Sequence, residues 1–599
     1  MGDDPRTKAR SFLESSAIIS EFEDILNDLV YENPEDLRGY LANYFLTQSK
    51  QPQITSLNLR LLTGPAGELA VHIDVTVALR NRTQRYNGLT VNLSSGQLSS
   101  QKIKEYEAFG EYEINQLNTE SCCLLCSVNS TSLATILNRI DLIDHSTIDN
   151  LLANCRLEHA HEMAKLAAIE AENSNIEIAP EVPPAKPPPP APPAKRQAMS
   201  PAGVKPGGAP PPSKKGTIKE VQLLEVIPDG PEPSSFTGQV LVTGISLTSR
   251  LITAEMQNSS LYRLIQLPYV TNLSIPLPII PILQSGPDFP GKQTLVKYFM
   301  LIPRPDKMDN EEWLNKLHSI IHQLRETLTT AKGATSQQGY STDDGCLVFS
   351  MDKPEQGFDI LQNAVNAVCG TKEHWFDYAL QMCPYEAFDY TNGMYEVASG
   401  MTKAPDDLAD LYAEWILNYP SCIMLIDPFR YSDKTSLSRL CHRVTKKCYV
   451  TSTDTRRYQH EDDDNTINCH LLSFDRAPTV TELIQRVNKL RESNDYALGL
   501  FERDHQEVAQ VYLADLAVGF GCRFLKLPGL LSLGGQTTSV ILQRLSIIRD
   551  EIQMNDGDQP VQLKQHSFIH IRSAIDIPEL DVAPPISTTS KNKDKKKRP

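Results

Sequence analysis

From residue 269 to about 555, short β-rich runs alternate with amphipathic helical stretches. "YFMLIP", "CIMLIDPF", "KCYVTST", "NCHLLSF" and "YALGLF" read as strands, and "EWLNKLHSIIHQLRETL", "LADLYAEWILNYP" and "VTELIQRVNKLRES" read as helices. Alternation sustained this long predicts an α/β parallel barrel with its helices outside, because each strand is buried on both faces and each crossover needs a helix. Barrels of this kind place their chemistry at the carboxyl ends of the strands. Those ends are where functional residues are sought.

The chain is longer than one core usually organises, at 599 residues, so further units are expected. Residues 10–50 form the first. In "FLESSAIISEFEDILNDLV" an apolar stripe of Ile18, Ile19, Phe22, Ile25, Leu26, Leu29 and Val30 opposes an acidic face. After Asn33-Pro34, "EDLRGYLANYF" gives a second short amphipathic helix. Two helices this short do not cover both faces alone, which predicts a homodimeric four-helix arrangement or an amphipathic helix from a partner. Packing against the same chain is the alternative. Between Pro180 and Pro212 a run of proline, alanine and glycine excludes helix and sheet, marking 161–234 as a flexible insert.

A net charge of −16 argues against nucleic-acid binding, since an acidic surface repels phosphate. Only the tail "KNKDKKKRP" is strongly basic, within a C-terminal extension at 556–599. No apolar run reaches the roughly 20 residues a membrane span needs, and the N-terminus lacks a signal-peptide core, so a soluble intracellular protein is expected. The twelve cysteines have no zinc-ligand spacing and are read as reduced thiols.

Several segments together resemble enolase. "LYR" near 261, "LPYVTNLSIPLPIIPILQSGPDFPGK", "PDDLADLYAEWILNYPSCIMLIDPF", "NCHLLSF" and "CRFLKLPG" follow that family's order. "LTGPAGELAVHIDVTVAL" with "NLSSGQLSS" is similar to its small N-terminal domain and serine-rich loop. The resemblance implies an enolase-type (β/α)8 barrel at 269–555 and a small α+β N-terminal domain split into 55–160 and 235–268. The module at 10–50 ahead of them is similar to docking-and-dimerisation helices of kinase regulatory subunits and flagellar proteins. Docking module and proline-rich insert together are most like the sperm-associated branch of the family. That implies a cytoplasmic protein of the sperm flagellum or cilium.

The resemblance also implies a glycolytic phosphopyruvate hydratase, a lyase that interconverts 2-phosphoglycerate and phosphoenolpyruvate with Mg2+. Such chemistry needs a base for a carbon-bound proton, carboxylates for the cation and an acid for the leaving hydroxide. Carried over position by position, Asp377 in "HWFDYAL" supplies one metal ligand, while Ile426 stands where the second, a glutamate, belongs. The third falls in "VTSTD", on Asp454 if the register slips and otherwise on Ser452 or Thr453. Ser473 occupies the base position, normally lysine. Asp344 in "TDDGC" takes the place of the proton-donor glutamate, and Lys526 matches the family's second active-site lysine. Asp288 and Lys297 fall at substrate-loop positions, and Arg503 falls in the phosphate-holding segment.

A hydrocarbon does not ligate a cation and a serine does not abstract a carbon acid's proton, so Mg2+ binding and turnover are both in question. Three readings stay open: a hydratase, an inactive enolase-fold pseudoenzyme serving as a dimeric flagellar scaffold, and weak binding of a phosphometabolite at the barrel mouth through Lys526 and Arg503.

Overall fold

The computed structural model describes residues 5–15, 18–63, 69–92, 137–154, 239–308, 311–330, 339–453, 467–474, 477, 479–493, 497–501, 511–556 and 562–563. The serine-rich stretch, the proline-rich insert and the basic tail lie outside them. Helices α1 (Pro5–Ser15), α2 (Ile18–Glu32) and α3 (Leu37–Gln48) open the chain. Asn33 leaves α2 in the left-handed region, at φ 46°. Asp36 then caps α3 by accepting from the backbone N–H groups of Arg38 (3.1 Å) and Gly39 (2.9 Å). Phe22 and Phe45 pack α2 against α3 at 5.6 Å, and Ile25 is fully buried. Ile19, Leu26, Val30 and Leu37 remain more than half exposed.

Strands β1 (Gln53–Thr63), β2 (Leu69–Leu79) and β3 (Arg82–Asn92) form an antiparallel sheet. Arg80 and Asn81, both at positive φ, make the tight turn between β2 and β3. On β2 the alternation is clean: Val71, Ile73, Val75 and Val77 face a core shared with Leu142, Ile148 and Leu152 and with Leu241, Ile245 and Ile252. The first three of these belong to helix α4 (145–154) and the residues leading into it, the last three to α5 (Gln239–Met256). A Cβ on Gly244 would stand 2.6 Å from Ile73 Cδ1 and 2.8 Å from Val91 Cγ1, so any larger residue there has to push these side chains aside. The opposite face carries the fully buried Asp74, paired with Arg60 (2.7 Å), Arg85 and His72. A second buried ion pair, Arg250 to Asp149 at 2.7 Å, joins α5 to α4, and Asp149 also accepts from the Thr481 N–H at 3.1 Å.

After α6 (Leu261–Leu264) and β4 (Ser274–Ile275) come β5 (Leu277–Gln284), β6 (Val296–Pro303), α7 (Glu312–Thr330), β7 (Leu347–Val348), α8 (Glu355–Cys369) and β8 (Phe376–Met382). A small sheet of β9 (Phe388–Asp389), β10 (Met394–Ala398) and β11 (Met401–Lys403) follows. Next are α9 (Pro405–Asn418), β12 (Cys422–Ile426), α10 (Lys434–Val444), β13 (Tyr449–Thr451) and β14 (Cys469–Leu472). The fold ends with α11 (Val480–Ser493), β15 (Ala497–Leu500), α12 (Tyr512–Gly519), β16 (Phe524–Lys526), α13 (Ser532–Asp556) and β17 (Gln562–Leu563).

The strands run in the order β13-β12-β8-β6-β5-β16-β15-β14, with β7 beside β5. Asn468 closes the gap between the two end strands, since its side chain accepts from the Val450 N–H (2.8 Å) and donates to the Cys448 carbonyl (3.1 Å). The barrel departs from the all-parallel expectation at one strand. β6 is antiparallel to both β5 and β8, because the 285–295 connection is too short for a crossover helix and returns as a hairpin.

His145 beside α5 and His470 inside the barrel are both held neutral by burial, His145 down to about 4 and His470 down to about 3. The unfolded chain protonates each near 6.5, so it binds more protons than the fold below that pH, and stability falls as pH drops from about 6.5 toward 4. Each histidine contributes about 1.4 kcal/mol per pH unit in that window. Urea unfolding at pH 5 should therefore show a midpoint clearly below that at pH 7.5, corresponding to about 4 kcal/mol.

Candidate functional site

The carboxyl ends of the parallel strands, with the amino end of β6, form the barrel mouth. β5 contributes Gln284, β6 Lys297 and Tyr298, β8 Gln381 and β12 Ile426 followed by Asp427. Ser452 and Thr453 follow β13, Ser473 follows β14, Phe501 follows β15, and Lys526 ends β16.

One half of the mouth centres on Asp344. Its Oδ2 accepts from Gln284 Nε2 (3.1 Å) and from the Tyr298 hydroxyl. Lys297 and Lys526 lie 5.3 and 5.7 Å from the centre of the Tyr298 ring, and Lys526 is 6.0 Å from that of Phe501. Cys346 sits beneath this group. Burial pushes its thiol well above the usual range, reinforced by Asp344 and opposed by Lys526 and Lys297. The 343–345 turn is held from behind: the Gly529 N–H donates to the Asp344 carbonyl (2.7 Å), Leu531 N–H to that of Gly345 (3.0 Å) and Gly534 N–H to that of Asp343 (3.1 Å). A Cβ on Gly529 would fall 2.1 Å from the Gly345 oxygen, so that contact admits glycine alone.

The other half centres on Asp427, whose φ of 52° turns its side chain back into the mouth. Its Oδ1 accepts from Ser452 Oγ (2.8 Å) and the Thr453 N–H (2.7 Å). Its Oδ2 accepts from Thr453 Oγ1 (2.6 Å) and Gln381 Nε2 (3.3 Å). Ile426 pairs in register with Gln381 on one side and Thr451 on the other, and its side chain is fully buried in the core.

Asp344, Lys297, Lys526, Ile426 and Ser473 thus share the mouth, while Asp288 lies exposed in the 285–295 loop. Asp377 does not join them. It is the second residue of β8, paired with Ile302, and four residues of strand, about 13 Å, separate it from Gln381. The residue level with Ile426 is Gln381. Asp454 and Arg503 lie outside the described residues. Lys489, a lysine that could otherwise offer a base, is exposed on α11 and does not come from a strand end.

Gln284, Tyr298, Gln381, Asp427 and Phe501 are mouth residues that the sequence alone did not single out. For Gln381 the available signal was position: in a strand that begins at Phe376, the end that meets the mouth is the last residues. For Asp427 an αL backbone is needed, which no residue pattern announces.

A divalent cation of the magnesium type wants six oxygens, several of them anionic. The groups at these strand ends are a neutral amide (Gln381), a hydrocarbon (Ile426) and hydroxyls (Ser452, Thr453), and Asp427 already accepts four hydrogen bonds. Gln381 Oε1 has no partner among the described residues, but one neutral oxygen falls far short of a cation cage. Among the described residues no three His, Cys, Asp or Glu side chains gather into one. The described residues of the mouth do not fit the ion.

The barrel, with its one reversed strand, is an enolase-type fold: residues 272–533 match the family Enolase, C-terminal TIM barrel domain. The resemblance also runs along nearly the whole chain. Enolase 4 of Danio rerio is 26% identical over 580 residues, covering 94% of this chain and 95% of that protein. Enolase 4 of Homo sapiens is 26% identical over 578 residues, covering 92% and 88%. An Enolase of Corynebacterium kroppenstedtii is 23% identical over 303 residues, half of this chain. Residues 272–533 thus form an enolase C-terminal barrel, and the chain as a whole resembles Enolase 4. No helix among the described residues is long and apolar enough to cross a membrane.

Proposed function

We propose that this protein is an enolase-type barrel that does not dehydrate 2-phosphoglycerate and instead serves as a dimeric scaffold in the cytoplasm of the sperm flagellum or cilium. The observation that carries the noncatalytic part is the set of groups at the ends of β8, β12 and β13: Gln381 level with Ile426, Ser452 just past the paired Thr451, and Ser473 after β14. Neither a magnesium cage nor a base is available from these groups. The scaffold part is supported by the N-terminal helices, whose exposed Ile19, Leu26, Val30 and Leu37 call for a covering partner. A second copy of the same helices, or an amphipathic helix from another protein, fits that face. Lys297 and Lys526 give the mouth residual affinity for a small anionic phosphometabolite.

Asp344 and Lys526 favour a second reading, a hydratase whose base and cation ligands come from residues not level with the family positions. Expression in a bacterial strain lacking its own enolase separates the two. Failure to restore growth on glucose, with the chain present at the level of a rescuing active enolase, supports the first reading; restored growth that is lost with Lys526→Ala supports the second.

A further inference from the structure

Asp427 raises a question that loss of catalysis does not answer, namely why a carboxylate persists at the mouth once no cation is held. Four donors from two strand ends converge on it, Gln381 near the end of β8 and Ser452 with the backbone and hydroxyl of Thr453 after β13, while Asp427 itself follows a third strand, β12. Its own N–H donates to the Thr451 carbonyl at 3.0 Å, which continues the pairing of β12 with β13 for one residue beyond the strand. Its left-handed backbone aims the carboxylate across the mouth instead of along the strand. Aspartate is among the few residues that adopt this conformation readily.

From this geometry we infer that Asp427 is a clasp: its carboxylate ties the ends of β8, β12 and β13 together and thereby replaces a cation as the element that organises this half of the mouth. The chemistry is self-consistent. Every donor on the ring is neutral, so the single negative charge is spread over four hydrogen bonds, and charge-assisted bonds are about twice as strong as neutral ones. A hydrocarbon at Ile426 removes the neighbouring carboxylate that would otherwise repel Asp427 in the absence of metal. Substitution of the old ligand position and retention of Asp427 therefore belong to one arrangement. The inference concerns the same site as the proposed function, but the two fail separately: turnover overturns the functional reading, and a cation response at Asp427 overturns this one.

The test is thermal melting of the full chain in millimolar Mg2+ and in EDTA, for the parent and for Asp427→Asn, Ser452→Ala and Thr453→Val. The clasp requires that the parent melt at the same temperature in both buffers. It requires Asp427→Asn to melt about 5 °C lower, because an amide presents an N–H where an acceptor is needed. Ser452→Ala and Thr453→Val should give smaller decreases, and each should cost less in the Asp427→Asn background than alone, as coupled partners do. If Asp427→Asn does not yield folded protein, the two milder variants still decide, since additive losses across them contradict a shared carboxylate. A melting temperature that rises with Mg2+ and ceases to respond in Asp427→Asn makes Asp427 a metal ligand and overturns the inference. So does an unchanged melting temperature in Asp427→Asn.

Discussion

Arg250→Ala is expected to lower the stability of the folded chain by about 3 to 5 kcal/mol, and Asp149→Ala by a similar amount. The two side chains are only 4% and 2% exposed and meet at 2.7 Å, so removing one leaves the other as a buried charge without its counter-ion. Arg250 also donates to the Ser246 carbonyl (3.0 Å), the Ser246 hydroxyl (3.0 Å) and the Thr481 hydroxyl (2.8 Å), while Asp149 accepts from the Thr481 N–H at the start of α11. The pair thus fastens the N-terminal domain to the barrel as well as α5 to α4. Urea unfolding followed by fluorescence would measure it, and the double replacement by leucine and methionine should cost less than either single change, because the stranded charge is the main penalty. A loss below 1 kcal/mol for both single variants would mean that the pair is solvated.

The second large effect is expected from rebuilding the cation site. Gln381→Asp, Ile426→Glu and Ser452→Asp together place three carboxylates on adjacent strand ends, beside Asp427. In chelator that variant should be several kcal/mol less stable than the parent, since each buried unpaired charge carries a penalty of that order. Adding Mg2+ at about a hundredfold excess over its dissociation constant should restore about 2.7 kcal/mol by mass action. Ile426→Glu alone should be destabilised without any recovery in Mg2+, because its neighbours Gln381 and Ser452 offer no anionic oxygen. Turnover would require Ser473→Lys in addition, as the proton must have somewhere to go. Denaturant midpoints with and without Mg2+ distinguish these cases, and equal recovery for the single and triple variants would contradict the geometry of the mouth.

Much of the barrel was legible because its strands are buried on both faces and so read as apolar runs: "YFMLIP", "CIMLI" and "CHLL" fall on β6, β12 and β14. The reversal of β6 was not, since an apolar run carries no direction and only the short 285–295 connection betrays the hairpin. The strand ends that shape the mouth were legible in part. Ile426 and Ser473 stand at strand ends that their own segments define, whereas Asp377, the acid of "HWFDYAL", stands near the start of its strand. A strand's carboxyl end is fixed by where pairing stops, and that is set by Gln381 opposite Ile426, four residues on. The role of Asp427 was hidden for a different reason. An extended strand would turn it to the opposite face from Ile426, and only its positive φ brings it back into the mouth.

A barrel that serves as a scaffold with these mouth residues carries out none of the family's reaction. Steady-state conversion of 2-phosphoglycerate to phosphoenolpyruvate, measured on purified full-length protein at saturating Mg2+ beside Lys526→Ala, tests this most directly. The substitutions at Gln381, Ile426, Ser452 and Ser473 require a rate indistinguishable from that of Lys526→Ala and unchanged by EDTA. Turnover that needs Mg2+ and disappears in Lys526→Ala would contradict it.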